Sequence, residues 1–589
     1  MAIKLADTLK PMGDFPAADA SDVEITLLDE TKKSIQKAYE DGDLGGGSGD
    51  VDQTYNADSP RAQAGKAVAE AILGIFLENE KSTITAPIAS TVTISKSSNI
   101  AGLFQDDRIV PATGTVIKGN LISDMSHTFD NSTAVSSGRV EIQNFDTSCN
   151  MDYAYANSAV TTIAPMPSYP TSMIGTFMNC PQFNAPVTIP EGITNGLRMF
   201  ESCTNFNQPV GNLDNLTDGT NMFYNCRNFN QPVGNLDNLT NGPLMFASCT
   251  NFNQPVGNLS NLTNGVNMFQ SCWNFNQPVG TLDNLTDGSN MFYDTNFNQP
   301  VGNLDNLTNG FGMFQACIDF NQPVGNLDNL TDGTNMFGSC RSFNQPLNLS
   351  NLTNGSRMLR NCSNFNQPVG NLSNLTNGLR MFESCTNFNQ PVGNLDNLTD
   401  GTNMFYNCSN FNQPVGNLDN LTNGPLMFES CTNFNQPVGN LSNLTNGVNM
   451  FKFCSNFNQP VGNLDNLTNG SSMFASCTNF NQPVGNLDNL TNGGNMFQYC
   501  WNFNQPVGNF DNLINGSRIF YDCNIFNQPL NLGDKIINIR NALPSSWMSV
   551  IHLPTTVPTS TSNDIYNCLV NGYCGVSVPA ANIFNDRVL

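Results

Sequence analysis

One unit, Phe206–Asn228 with the sequence FNQPVGNLDNLTDGTNMFYNCRN, recurs with small edits and limits what the chain can fold into. Sixteen copies begin at Phe183, Phe206, Phe229, Phe252, Phe275, Phe297, Phe320, Phe343, Phe365, Phe388, Phe411, Phe434, Phe457, Phe480, Phe503 and Phe526. The period is 23 residues, shortened to 22 in the copies that start at Phe275 and Phe343. A fixed period of this length marks a solenoid, in which each unit is one coil completed only by stacking on its neighbours. The expected outline is an elongated rod.

Phe206, Val210, Leu213, Leu216, Met222, Phe223 and Cys226 mark the positions that stay apolar from copy to copy, so these seven face inward and form internal columns. Between them, Pro209, Gly211 and Gly219 bend the backbone, and Asn207, Asn212, Asn215 and Asn221 can bond to main chain at the turns. Stacked in register, such asparagines form ladders that satisfy turn amides.

The Cys203-x-x-Phe206 spacing, followed by Gly219, Met222-Phe223 and Cys226, resembles the 23-residue leucine-rich repeat of BspA-type surface proteins. The Phe-Asn-Gln-Pro-Val run with Met222-Phe223 is also similar to the slightly longer repeats of bacterial surface lipoproteins. The resemblance implies a leucine-rich-repeat-like solenoid with short parallel strands. The chain departs from it at Pro209 and Gly211, which stand where the BspA-type pattern has strand residues, and at Leu213, where the lipoprotein repeat has Trp.

Around the array, the 589 residues divide into an N-terminal anchor and flexible joint (1–49), a helix plus β-rich neck (50–150), an N-terminal cap (151–182), the solenoid (183–543) and a C-terminal cap and tail (544–589). Residues 1–44 carry two short amphipathic helical patterns, the second from Asp29 to Asp41, and end in the joint Gly45–Gly49. A further helix is expected from Pro60 to Glu80, with Val68, Ala71, Ile72, Ile75 and Phe76 on one face. It packs either on its own domain or on copies of itself. Residues 82–150 alternate polar and β-branched residues, as strands do. Within the array, Leu197–Val279 reappears nearly verbatim as Leu379–Val461, so the array grew by block duplication.

Charged residues make up only 12% of the chain and the net charge is −24, which argues against nucleic acid and anionic membrane surfaces as partners. No apolar run is long enough to insert into a membrane, and MAIKLADTLKPMGDFP lacks a secretory signal's apolar core. Fifteen of the 18 cysteines lie three residues before a repeat Phe and read as a column of small buried thiols. Cys568 and Cys574 alone have a setting that suits a bridge. With two histidines, His127 and His552, far apart in sequence, material for nucleophilic catalysis is nearly absent, and no enzyme activity, cofactor or metal is expected.

Copies differ mainly beside Met-Phe and around the cysteine. The candidate binding residues are Tyr224, Arg227, Trp273, Tyr293, Arg357, Arg360, Lys452, Phe453, Tyr499 and Trp501, because repeat proteins place ligand contacts on variable positions of one face and Trp, Tyr and Arg dominate binding hot spots. Drift on a tolerant edge is the competing account. The N-terminal run Lys4–Pro16, with Asp22-Val23-Glu24-Ile25 after it, is similar to the opening of head-fibre proteins of tailed bacteriophages. That resemblance implies a virion surface fibre held to a capsid protein through residues 1–44, associating as dimers or trimers and adhering to bacterial or mucosal glycans or proteins. The alternative is a BspA-type adhesin on a bacterial cell surface.

Overall fold

In a computed structural model of the chain, the described residues are 99–107, 115–133, 140–162 and 170–547, together with Ser549 and isolated strand segments outside these ranges. The chain divides into two compact units, Met1–Leu259 with Ser271–Phe275, and Ser260–Gln270 with Asn276–Leu589. Phe206–Asn228 serves below as the reference coil, and its residues name the positions in every copy.

In the first unit, stacking begins well before the first repeat Phe. The strand Ile84–Ile88 pairs in parallel with Ile109–Pro111, and Thr91–Thr93, Thr115–Asp124 and Val140–Asn150 form a parallel three-stranded sheet. Single parallel bridges then take over, Asn150 to Ser172 and Asn195 to Asp218 to Asn241. An aromatic column follows the same path through Phe104, Phe129, Tyr155, Phe177, Phe200, Phe223 and Phe246, with ring centroids 5.2–5.5 Å apart. Residues 99–182, read from sequence as part of a neck and a cap, thus carry the same column as the repeats. A second column, Phe183, Phe206, Phe229, Phe252 and Phe275, runs beside it at 5.6–5.9 Å per step.

The second unit repeats both columns. Phe382, Phe405, Phe428, Phe451, Phe474, Phe497 and Phe520 stack at 5.4–5.6 Å, and Phe297 to Phe526 form the companion row. All seven inward positions are buried in nearly every coil, as their persistence in the sequence requires. Each stacked pair adds about 0.5–1.5 kcal/mol to the burial of its rings.

The backbone bonding explains why so little strand is present. From Asn264 to Asn538, one bridged residue per coil, at the Asp218 position, continues the parallel ladder, and longer strands return only at Asn509–Phe510 and Leu530–Leu532. The strands expected across the middle of the coil are mostly absent, and there proline at the Pro209 position has no N–H and the glycine two residues on holds positive φ, +85° at Gly211, which interrupts extended backbone. Leu530–Leu532 then pairs with Ile551–His552, and that strand with Ile583–Phe584, all in parallel.

Side chains do the work that strand amides would have done. The Asn207 amide N–H donates to Asn184 Oδ1 at 2.9 Å, Asn230 to Asn207 and Asn253 to Asn230 at 3.0 Å, with glutamine Nε2 joining the same acceptors. The second unit has the same ladder from Asn298 to Asn527. Threonines at the Thr217 position donate both N–H and hydroxyl to the preceding threonine carbonyl. Glycine at the Gly219 position is fixed by contact, since a Cβ there would lie 2.5 Å from the Met245 sulfur of the next coil.

The N-terminal segment differs from its expected helical form. Lys32–Ser34 falls inside the helical pattern Asp29–Asp41, yet it is a strand, paired antiparallel with Glu24–Thr26. Ile25 and Thr26 are β-branched and favour an extended backbone over a helix, and the antiparallel pairing supplies hydrogen bonds that a short helix would have had to make within itself. Among the described residues the one helical element is the 3-10 turn Gln105–Asp107. The helix expected over 60–80, and Cys568 and Cys574, lie outside the described residues.

The sixteen described cysteines are free and buried. The repeat thiols donate to the carbonyl at the Phe223 position of the preceding coil, as Cys226 does to Phe200 and Cys408 to Phe382 at 2.9 Å, with Leu359 accepting from Cys385 and Tyr155 from Cys180 at 3.0 Å. Burial pushes the thiols up, Cys180 to about 11 and Cys317 to about 12, and most others further. A thiol that stays protonated is a poor nucleophile. Iodoacetamide at pH 8 should therefore leave all sixteen unlabelled in the native chain and label them after denaturation, as read by peptide mass spectrometry. In the core, Phe411→Ala should cost about 3–5 kcal/mol by chemical denaturation. Exposed Asn410→Ser should cost under about 0.5 kcal/mol.

Candidate binding edge

From Gly219 to Cys226 the coil is a chain of overlapping turns. Met222 N–H donates to Gly219 O, Tyr224 to Asn221 O and Cys226 to Phe223 O, each at 3.0–3.1 Å. Alternate amides bond outward to the next coil, Asn221 to Pro243, Phe223 to Met245 and Asn225 to Ala247. The third residue of the first and last turns, at the Asn221 and Asn225 positions, has positive φ throughout the array, as a type II turn requires. Side chains at these positions and at the flanking Tyr224 and Arg227 positions leave the coil on one edge.

Each of the ten candidate residues occupies one of these positions in its own coil. Arg357 occupies the Asn221 position; Tyr293, Arg360 and Lys452 share that of Tyr224; Phe453 and Tyr499 take that of Asn225; Trp273 and Trp501 take that of Arg227. Trp273 is 55% exposed, Trp501 51%, Phe453 44% and Tyr499 38%, so these four large rings, like Phe311, face solvent while the stacked Phe columns are buried. Phe453 and Tyr499 also hold φ of +64° and +59° where asparagine or serine usually stands. A left-handed backbone costs a non-glycine residue about 1–2 kcal/mol.

Tyr224, Arg227 and Trp273 belong to the first unit, where Arg227 Nε donates to Asn225 Oδ1 at 3.0 Å. The other seven belong to the second and form a line of local groupings rather than a pocket. Lys452 lies 3.3 Å from Glu429 and 4.9 Å from the Phe453 ring centre, a cation–π arrangement. Burial raises the Glu429 carboxyl pKa, and Lys452 opposes that rise. Tyr499 meets Tyr521 edge to face at 5.8 Å. Arg360 and Arg380 share the carboxylate of Glu383, at 3.3 and 3.6 Å. Glu383, Glu429, Arg380 and Tyr521 were not among the residues chosen from sequence, although they occupy the same positions. Their signal is the register itself.

The block duplication supplies a comparison within the chain. Leu197–Val279 and Leu379–Val461 differ at five sites: Arg227 against Ser409, Ala247 against Glu429, Gln270 against Lys452, Ser271 against Phe453 and Trp273 against Ser455. All five lie at the Tyr224, Asn225 or Arg227 positions. Neither the inward columns nor the asparagine ladder differs.

Elsewhere, His127 contacts Asp130 at 2.9 Å and stacks on Tyr153, and among the described residues no group of three or more His, Cys, Asp or Glu is placed to hold a metal. No helix among them is long and apolar enough to cross a membrane.

Overlapping matches to one family model, described as "Mycoplasma protein of unknown function, DUF285", cover residues 98–232, 171–282, 263–372, 347–441, 394–485 and 445–542. The chain belongs to the DUF285 family. The DUF285 match starts near Asn99, where the described coils begin, and leaves out the N-terminal stretch whose resemblance pointed to phage head fibres. Among solved structures, the chain is similar to a leucine-rich repeat protein from Bacteroides ovatus, with 14% identity, a TM-score of 0.32, and coverage of 65% of this chain and 81% of that one. It is also similar to the Toll–Spatzle complex of Drosophila, in a glycosylated form, at 12% identity, TM-score 0.18, and coverage of 82% of this chain and 62% of that one. No curated protein matches it. The coil geometry of the DUF285 repeats rests on the contacts described above.

Turn chemistry makes a prediction for this edge. Leu426 follows Pro425 with φ of +57°, in the place where a type II turn favours glycine or asparagine. Leu426→Asn and Phe453→Asn should each raise stability by about 0.5–1 kcal/mol, seen as a higher midpoint in urea.

Proposed function

We propose that this chain is a non-enzymatic, surface-displayed adhesin of the BspA-like kind, whose solenoid presents one variable edge to ligands on another surface. The observation that carries the reading is the confinement of all five differences between the duplicated blocks to that edge. A frame held by stacked rings and shared hydrogen bonds tolerates little change, whereas an exposed edge can vary in contact chemistry without loss of fold. Variation there exchanges Ser for Phe, Gln for Lys and Trp for Ser, which are changes in what the edge can bind.

The aromatic members point the same way. Trp273 and Trp501 expose flat rings on the outermost turn position, suited to stacking on sugar rings or apolar side chains. Phe453 and Tyr499 occupy left-handed positions that asparagine fills more cheaply, as expected of residues kept for contact rather than for folding. The head-fibre reading draws on residues 4–25, of which the structure describes only Glu24–Ile25, and the surface-adhesin reading takes precedence over it.

The test uses the full chain with Trp273→Ala and Trp501→Ala combined. Attachment to cultured epithelial cells or mucin-coated plates should fall by at least about tenfold, in line with two hot-spot losses, with the unfolding midpoint unchanged. Wild-type attachment by the double variant would leave drift as the account of the variation. Antibody raised to the array should label intact cells of the source organism.

A further inference from the structure

The charge along the second unit is far from uniform. The chain carries 47 acidic and 23 basic residues, yet Gly333–Phe382 contains no Asp or Glu and four arginines, Arg341, Arg357, Arg360 and Arg380. Serine replaces the usual aspartate of the Asp214 position at Ser350 and Ser373, and the Asp218 position holds asparagine, its commoner residue, at Asn354 and Asn377. Three successive coils therefore carry a positive belt on an otherwise negative array.

The arginines sit at edge positions. Arg357 and Arg360 lie on one coil, Arg380 on the next and Arg341 on the one before. The Arg360 amide donates to Arg357 O at 3.2 Å, and Ser339 N–H donates to Arg360 O at 2.6 Å, which brings the coil of Arg341 against that of Arg360. Gly338 occupies the Tyr224 position between Gln315 and Arg360, with the Arg357 carbonyl 3.5 Å from where its Cβ would be. Its missing side chain leaves the flank of the arginines open.

Glu383 orders the pair beside this opening. Its side chain is 12% exposed, while those of Arg360 and Arg380 are 39% and 38% exposed, and both contacts run through Nε. One carboxylate between two guanidiniums leaves a net positive charge, on side chains whose forks suit carboxylate or sulfate. The duplicated coil is a built-in control: Arg198 and Glu201 repeat the Arg380–Glu383 contact at 3.5 Å, but Met178 stands in the place of Arg360.

We infer that the belt of Arg341, Arg357, Arg360 and Arg380 binds an acidic polysaccharide through its sulfate or carboxylate groups. This rests on the reading of the turn edge as the binding face and gives that face a ligand class. A polymer suits the site because the cations are spread over successive coils rather than gathered in one pocket.

The experiment measures binding of the full chain to immobilised heparin, polygalacturonate and neutral dextran at low and high salt. Binding to heparin, to polygalacturonate or to both, but not to dextran, is expected, with loss at high salt as screening requires. Heparin alone would assign sulfate, and polygalacturonate alone carboxylate. The Arg357→Gln, Arg360→Gln, Arg380→Gln triple variant should bind at least about tenfold more weakly, since charge-assisted bonds are lost. Arg198→Gln removes the same kind of charge elsewhere and should bind as wild type. A wild-type chain that binds neither acidic polymer at low salt overturns the inference even if the triple variant fails to fold. So does equal binding by the triple variant and wild type. If either result comes with lost attachment in the tryptophan double variant, the edge reading survives and only the ligand class falls.

Discussion

Each coil is tied to the next at the Met-Phe pair. The Phe223 N–H donates to Met245 O in the following coil, and the Phe223 carbonyl receives both the Cys226 N–H of its own coil and the Cys249 thiol of the next. The ring of the same residue stacks on its counterparts on both sides. Backbone, thiol and ring thus converge on one residue, and the rest of the coil can be loops because this point fixes the register. Where the cysteine is replaced, at Thr295, the hydroxyl donates instead to the Phe292 carbonyl of its own coil at 2.8 Å.

This arrangement separates fold from recognition. Residues that set the register face inward or bond along the ladders, and residues on the outer turns answer to neither. Lys452 beside Phe453, or Arg360 beside Arg380, can therefore arise by single substitutions without disturbing the column beneath. Repeats that are nearly identical inside and diverse on one edge follow from this division.

The inward columns were legible in the sequence because burial admits few alternatives: Val210, Leu213 and Met222 recur as large apolar residues, and all are buried. The asparagine ladder was legible because Asn207 recurs in register and its side-chain oxygen can accept from a turn amide, as it does from Asn230 N–H. The edge was legible as a set of variable positions, but its pairings were not. Arg360 and Glu383 lie in different coils, and only the register brings them together. The coils before Phe183 were missed because Phe104, Phe129 and Tyr155 keep the column at irregular spacings without the Asn-Gln-Pro signature. At Lys32–Ser34 helical periodicity misled, since a three-residue strand is set by its partner rather than by its own pattern.

The glycine amides of the ladder bear on how such a chain ages. Asn-Gly pairs deamidate when the glycine nitrogen attacks the asparagine side chain to close a succinimide ring. Here those nitrogens are committed: Gly265 donates to Asp287 O at 2.9 Å, Gly355 to Asn377 O at 2.9 Å and Gly424 to Asn446 O at 3.0 Å. Ring closure at any of them requires the coil to part from the one that follows. A sequence that would decay quickly as a loose peptide is thus preserved by being stacked, and chemical lifetime becomes a property of the array rather than of its asparagines.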